Sequence, residues 1–238
     1  MGKVSDSPTE LNRLHSSLGR QLLQFADVLG VDIASNLVAA GNRRAKQAGL
    51  TNLSFHQGDA SGLIELEANT FDLVVTIFGA MFAPRPVDVA KEMVRVTKPG
   101  GRIVMGNWIP GDPTLVAQIL KISAAYSPPP PEGFVSPVLW GVEANVIERF
   151  GEAGIAAEKI TCKRDVYTFN FPGTPQAFLS EFRYFYGPTM NAFDAAKKNG
   201  REDELQRELE ALFVAQNKSA DPARTVIPAA FLRVVVER

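Results

Sequence analysis

Two aspartates stand at the ends of apolar runs: Asp32 in "DVLGVDI" (27–33) and Asp59 in "LSFHQGD" (53–59). A carboxylate at a strand end accepts hydrogen bonds, and each bond to a charged group contributes about 1.5–3 kcal/mol. Asp32 could accept from both hydroxyls of a ribose. Asp59 could take the exocyclic amine of an adenine, with Ile33 and Ala60 in apolar contact with the ring faces. The competing role for either acid is local, because aspartate is a frequent turn former and helix cap. Phe78 and Gly79 follow a third apolar run, and Asn107 and Trp108 end a fourth. In doubly wound sheets ligands bind at the carboxyl ends of the strands, so these positions make up the candidate site.

The elements that must position them alternate short apolar runs with amphipathic stretches, the pattern of a parallel sheet flanked by helices. After the strand at 27–33, "SNLVAAGNRRAKQAG" (35–49) reads as a helix. Ser35 would cap it, Leu37, Val38, Gly41, Ala45 and Ala48 share a face, and Gly49 stops it. "FDLVVTIFGAMFA" (71–83) is apolar almost throughout and predicts a strand buried on both faces. A helix over 85–98, a turn at "KPGG" (98–101) and a strand over 102–108 follow. The helix over 113–126 runs into "SPPPPEGF" (127–134), too rich in proline for helix or ladder. Beyond it lie a helix over 142–154, a β-like stretch over 155–171 and an aromatic-rich helical segment over 174–198, broken near Gly187-Pro188. A helix over 202–217 and a closing strand over 225–237 complete the chain.

Composition narrows the partners. A formal net charge of −1 over 238 residues gives no electrostatic reason to expect nucleic acid or an anionic membrane. One cysteine, Cys162, rules out an intramolecular disulfide framework, and with His15 and His56 as the two histidines no metal site is expected. No apolar run approaches the roughly 20 residues that span a bilayer, and no signal-type leader is seen. The expectation is a cytoplasmic, soluble protein with a small-molecule substrate, its oligomeric state left open.

The stretches "GVDIAS", "GDA", "FDLVVTIFGAMFAPRP" and "VRVTKPGGRIVMGNW", in that order and spacing, resemble the class I S-adenosylmethionine-dependent methyltransferases. The resemblance is greatest to the small-molecule branch that includes ubiquinone- and menaquinone-type C-methyltransferases. It covers residues 27 to about 110 and extends loosely through "YSPPPPEGFVSPVLWG". It implies a Rossmann-like α/β sheet with helices on both faces, S-adenosylmethionine as cofactor, and methyl transfer to a C, O or N acceptor. Asp32 would then hold the ribose, Ile33, Asp59 and Ala60 the adenine, and Phe78 and Gly79 the sulfonium end. The closing antiparallel strand would be "FLRVVVE". Trp108, Tyr126 and Trp140 would shape the acceptor pocket, with packing in the core as the competing role. No residue stands out as a general base, and this chemistry depends on orientation and exclusion of water.

One feature departs from the family. Its members open on a strand and a glycine-rich loop about twenty residues before the first acid. Here that place is taken by "NRLHSSLG" (12–19), with Gly19 its one glycine. The segment 1–24 is therefore expected to lack or replace the first strand, either as a natural variation or as a truncated gene product. Residues 1–24 could supply a substitute strand, the neighbouring strands could pair directly, or the sheet could split. The chain reads as one domain over 1–238, with a helical cap over 172–218. Two readings compete with an active methyltransferase. One is a non-catalytic relative acting through partner binding or self-association. The other is a nicotinamide-dependent oxidoreductase, which also uses an acid after the second strand but requires a glycine fingerprint. Asp112 is expected in a turn, His56 packed or exposed rather than catalytic, the basic cluster Arg43, Arg44 and Lys46 on a solvated face, and Phe178, Phe182, Phe185 and Tyr186 in core or cap packing.

Overall fold

The computed structural model describes residues 26–238, which fall into two compact units, one ending at Glu65 and the other Leu66–Arg238. The expectation about residues 1–24 lies outside the described residues.

The first unit is a right-sized βαβ crossover: β1 (Val28–Asp32), α1 (Ser35–Gln47) and β2 (Leu53–Gln57), the strands parallel and in register from Val28↔Leu53 to Asp32↔Gln57. Phe55 ties the helix to the strands. A Cβ on Gly30 would fall 2.5 Å from its ring, and one on Gly41 2.8 Å, so two glycines of different elements make room for one side chain. Asn42 of α1 brackets the Phe55 backbone, donating from Nδ2 to its carbonyl at 2.8 Å and accepting its N–H at 2.9 Å. This supplies partners on an edge of β2 that the ladder leaves open. Gly49 adopts a φ of 69° just after the helix, as its position predicts. Two expectations fail here. Ser35 is the first helical residue and Ala34 the cap position, because Asp32 already takes the Ala34 N–H. Leu37, expected on the inner face, is 56% exposed.

The second unit holds a four-stranded sheet in the order β3 (Phe71–Ile77), β4 (Thr97–Trp108), β6 (Thr225–Glu237), β5 (Ile160–Phe171). β3 is parallel to β4, while β6 is antiparallel to both β4 and β5, so the expected closing strand sits inside the sheet. Alternation assigns the faces. Ile103 and Met105 of β4 and Leu232, Val234 and Val236 of β6 are buried, while Arg102, Arg233 and Glu237 between them are exposed. Helix α2 (Pro86–Val96) packs on β4 and on α4 (Glu143–Glu152) through Val89, Ala90, Met93 and Val94 against Val146 and Phe150. Helix α3 (Leu115–Tyr126) is packed by α6 (Gly187–Lys198) and α7 (Glu202–Gln216), and α5 (Pro175–Phe185) packs on both of these. Phe178 and Phe182 join Phe169 and Phe213 in an aromatic cluster, each ring within 6 Å of its neighbours. Phe185, expected with them, is 59% exposed.

The strand expected over 71–83 is shorter and less buried than its composition suggests. It stops at Ile77, and a 3-10 turn at Ala80–Phe82 follows. Among the described residues β3 lies at the edge of its sheet, with Leu73 and Val75 each 40% exposed. "KPGG" is a bulge inside β4, where the register shifts between Phe71 and Leu73. Gly100 carries the positive φ of 80°. Among the described residues no ladder joins β1 or β2 to β3, so the direct pairing expected of them is not seen; a substitute strand from residues 1–24 lies outside the described residues.

Candidate functional site

In the first unit Asp32 and Asp59 lie at the same end of one parallel pair. Asp32 closes β1, Asp59 lies two residues past β2, and Gly58 donates to the Asp32 carbonyl at 3.0 Å. Each acid also makes its own turn. Asp32 Oδ1 accepts from the Ala34 N–H at 2.8 Å, and Asp59 Oδ1 from the Ser61 N–H at 2.8 Å. Such turns fix the carboxylates at the strand ends rather than letting them follow solvent. Ile33, directly after Asp32, is 70% exposed, an apolar side chain beside an acid and open to a ligand's face.

In the second unit the carboxyl ends of β3 and β4 meet in a ring stack. Phe78 and Trp108 lie 3.6 Å apart between centroids and 3° from parallel, with Phe231 edge-on to Phe78 at 5.6 Å. Phe78 adopts a φ of 61°, a backbone region costly for a bulky side chain. Its N–H donates to the Gly106 carbonyl at 2.9 Å, and the stack holds the ring. Next along the chain, Thr76 Oγ1 accepts from the Ala80 N–H at 2.9 Å across Gly79. Strain of this kind persists where surrounding contacts over-determine it, and it is common at ligand sites.

Trp140 lies in a 3-10 turn, Pro137–Gly141, pressed onto the end of β4. A Cβ on Gly141 would fall 2.0 Å from the Trp108 carbonyl oxygen, so glycine is required for that approach. Tyr126, at the end of α3, is buried beneath the Arg201 guanidinium, which sits 4.3 Å from its ring centroid. Burial, then the carboxylates Glu208 and Glu204, push its phenol up to about 12, so it stays protonated at neutral pH. Burial foremost, and the Glu143 charge after it, push the Cys162 thiol up to about 11, which keeps it from being a nucleophile.

Asp112, expected in a turn, holds one together. Its Oδ1 accepts from the Thr114 N–H at 2.9 Å and hydroxyl at 2.6 Å, and its Oδ2 from Arg164 at 2.9 Å. Burial pushes its carboxyl upward, but the Thr114 and Arg164 bonds outweigh that and leave it below the ordinary value. His56 lies mid-strand in β2 at an exposed position. Among the described residues no group of three or more His, Cys, Asp or Glu side chains could hold a metal ion, and no helix is long and apolar enough to cross a membrane.

Sequence reasoning assigned nothing to three features here: the left-handed backbone at Phe78, the buried hydroxyl of Tyr186 beside the Trp108 indole, and the buried guanidinium of Arg149. Two of these depend on contacts between distant segments. Arg149 left one trace, as a cation at the i+3 position from Val146 on the inner face of α4.

Comparisons with known proteins bear on the family and the fold. The methyltransferase-domain family matches residues 13–105. An uncharacterized protein of Mycobacterium tuberculosis is 33% identical over 168 residues, covering 71% of this chain and 59% of that protein. The chain thus spans about three fifths of the length of that relative. The demethylmenaquinone methyltransferase of Shouchella clausii is 38% identical over 91 residues, covering 38% of this chain and 37% of that protein. Among solved structures, a putative methyltransferase from Bacillus halodurans superposes with a TM-score of 0.57 at 13% identity, over 93% of this chain and 87% of that one. The α/β architecture is the Rossmann-like methyltransferase fold.

Proposed function

We propose that this chain, which belongs to the class I S-adenosylmethionine-dependent methyltransferases, binds that cofactor and methylates a small-molecule acceptor. The observation that carries the reading is the pair Asp32 and Asp59 at one end of the β1–β2 pair, with Ile33, directly after Asp32, exposed. Two acids and an apolar face have the donor-free chemistry that an adenosine, rich in hydroxyl and amine donors, would meet.

In this reading Asp32 holds the ribose hydroxyls, and Ile33, Asp59 and Ala60 hold the adenine. Phe78 and Gly79 line the sulfonium end, and Trp108, Tyr126 and Trp140 line the acceptor side. S-adenosylmethionine supplies an activated methyl on a sulfonium. The chain's own part is to orient and to exclude water. The Phe78–Trp108 stack gives a rigid apolar wall for that purpose, and the raised Tyr126 phenol can donate a hydrogen bond but not remove a proton.

Calorimetric titration with S-adenosylhomocysteine tests the reading. Asp32→Asn keeps an oxygen for the Ala34 N–H while removing the charge, and should weaken binding about 10-fold, the loss of one charged hydrogen bond. Failure of the unaltered chain to bind at millimolar concentration overturns the reading. A second reading, partner binding or self-association without catalysis, draws on the edge strand β3, whose Leu73 and Val75 are 40% exposed. Sedimentation velocity separates the two: concentration-dependent association without cofactor binding favours the second.

A further inference from the structure

Among the described residues Arg149 is the arginine that is buried, at 6% exposure, and its guanidinium has no carboxylate partner. Arg95 pairs with Glu92, Arg164 with Asp112, Arg183 with Glu202, Arg201 with Glu204 and Arg233 with Asp165. Arg149 instead lies over the Trp140 ring, 4.5 Å from its centroid, with its NH1 group buried and without a hydrogen-bond partner. Trp140 is itself 1% exposed, and its indole N–H is also buried without a partner. The other neighbours from α4 are the apolar Val146 and Phe150, and Phe150 meets the Trp140 ring edge-on. Burial draws the Arg149 pKa down, and the field of exposed Glu148 draws it up. A guanidinium is not deprotonated in a protein, so the group keeps its charge.

A buried charge without a counterion opposes folding, and a hydrophobic residue of the same size would serve packing better. Local rules are broken in this way where a ligand supplies the missing partner. The missing partner here is defined by its chemistry. A full positive charge and two N–H groups without acceptors call for an oxyanion, and a guanidinium fork matches a carboxylate or a phosphate. A cation would repel the site, and a neutral amide would leave the charge uncompensated.

We propose that Arg149 and Trp140 form an oxyanion subsite for a small acidic ligand. Its placement on the acceptor side, which would make the methyl acceptor an acid, rests on the reading that Trp140 lines the acceptor pocket. The subsite itself does not.

The test uses the full chain at constant ionic strength, with benzoate, phenyl phosphate and neutral benzamide as probes. Benzoate or phenyl phosphate at several times its dissociation constant should raise Tm by roughly 2–4 °C, and benzamide should not. Which anion acts assigns the group as carboxylate or phosphate. Arg149→Met should fold with Tm unchanged or raised and lose the anion response. Arg149→Lys should keep a response weakened several-fold, because the charge remains but the fork is gone. The proposal is overturned if neither anion shifts the unaltered chain, or if Arg149→Met keeps the shift. It is overturned equally if Arg149→Met lowers Tm and Arg149→Lys restores it, since that pattern marks a structural cation. S-adenosylhomocysteine titrated into the same samples separates the readings. Anion response without cofactor binding sinks methyl transfer and leaves the subsite; cofactor binding without anion response does the reverse.

Discussion

Phe78 is where backbone and side chain pull in opposite directions. Its φ of 61° belongs to glycine, yet its ring makes the tightest stack in the described structure, 3.6 Å from Trp108. The left-handed conformation costs an ordinary residue about 1–2 kcal/mol. Phe78→Ala loses the stack and keeps the strain, while Phe78→Gly loses the stack and releases it. The glycine variant should therefore be more stable than the alanine variant by about 1 kcal/mol in urea denaturation. Equal stabilities would mean that the backbone at this position carries no strain. Asp112 offers a second test at this scale. Its depressed native pKa means that its stabilisation is complete above the ordinary carboxylate value of 3.8 and is lost as pH falls through the lower native value. Asp112→Ala should cost about 2 kcal/mol at pH 7, chiefly through the Thr114 bonds, because the half-exposed Arg164 is screened by solvent. The variant should also lose that acid-range slope when stability is followed against pH.

Elements whose pattern arises within their own residues were legible in the sequence. The closing strand over 225–237 is Thr225–Glu237, and the helix over 202–217 is Glu202–Gln216, because one periodic buried face suffices to mark each. The run over 71–83 was not legible, because an uninterrupted apolar stretch has no period to show where strand gives way to turn. The break at Phe78 is held by Trp108, thirty residues on, and by Phe231 beyond it. "KPGG" reads as a turn for the same reason. The two glycines have the flexibility for one, and only the opposing chain, through Arg238, turns that flexibility into a bulge. At the site, strand-end positions for Asp32, Phe78 and Trp108 follow from the alternation of elements. The Arg149–Trp140 pair required two segments to meet.

At the scale of the molecule the two units are unequal in core. Within residues 26–65 Ala45 is the one buried apolar side chain, whereas the second unit buries an extended set from Met81 to Val236. A two-stranded sheet with so little interior is marginal by itself. Amide exchange should register this: β1 and β2 should exchange at least about 100-fold faster than β4 and β6, which open with the core of their unit. Uniform protection across both units would contradict it. The antiparallel course of β6 has a practical corollary. Arg238 returns to the loop at Gly100 and Gly101, exchanging backbone hydrogen bonds of 2.9 and 3.1 Å, while Phe231 lies opposite Trp108 at the far end of β4. A surface, dye or affinity handle attached through Arg238 thus holds the second unit at the end of β4 opposite the Phe78–Trp108 stack.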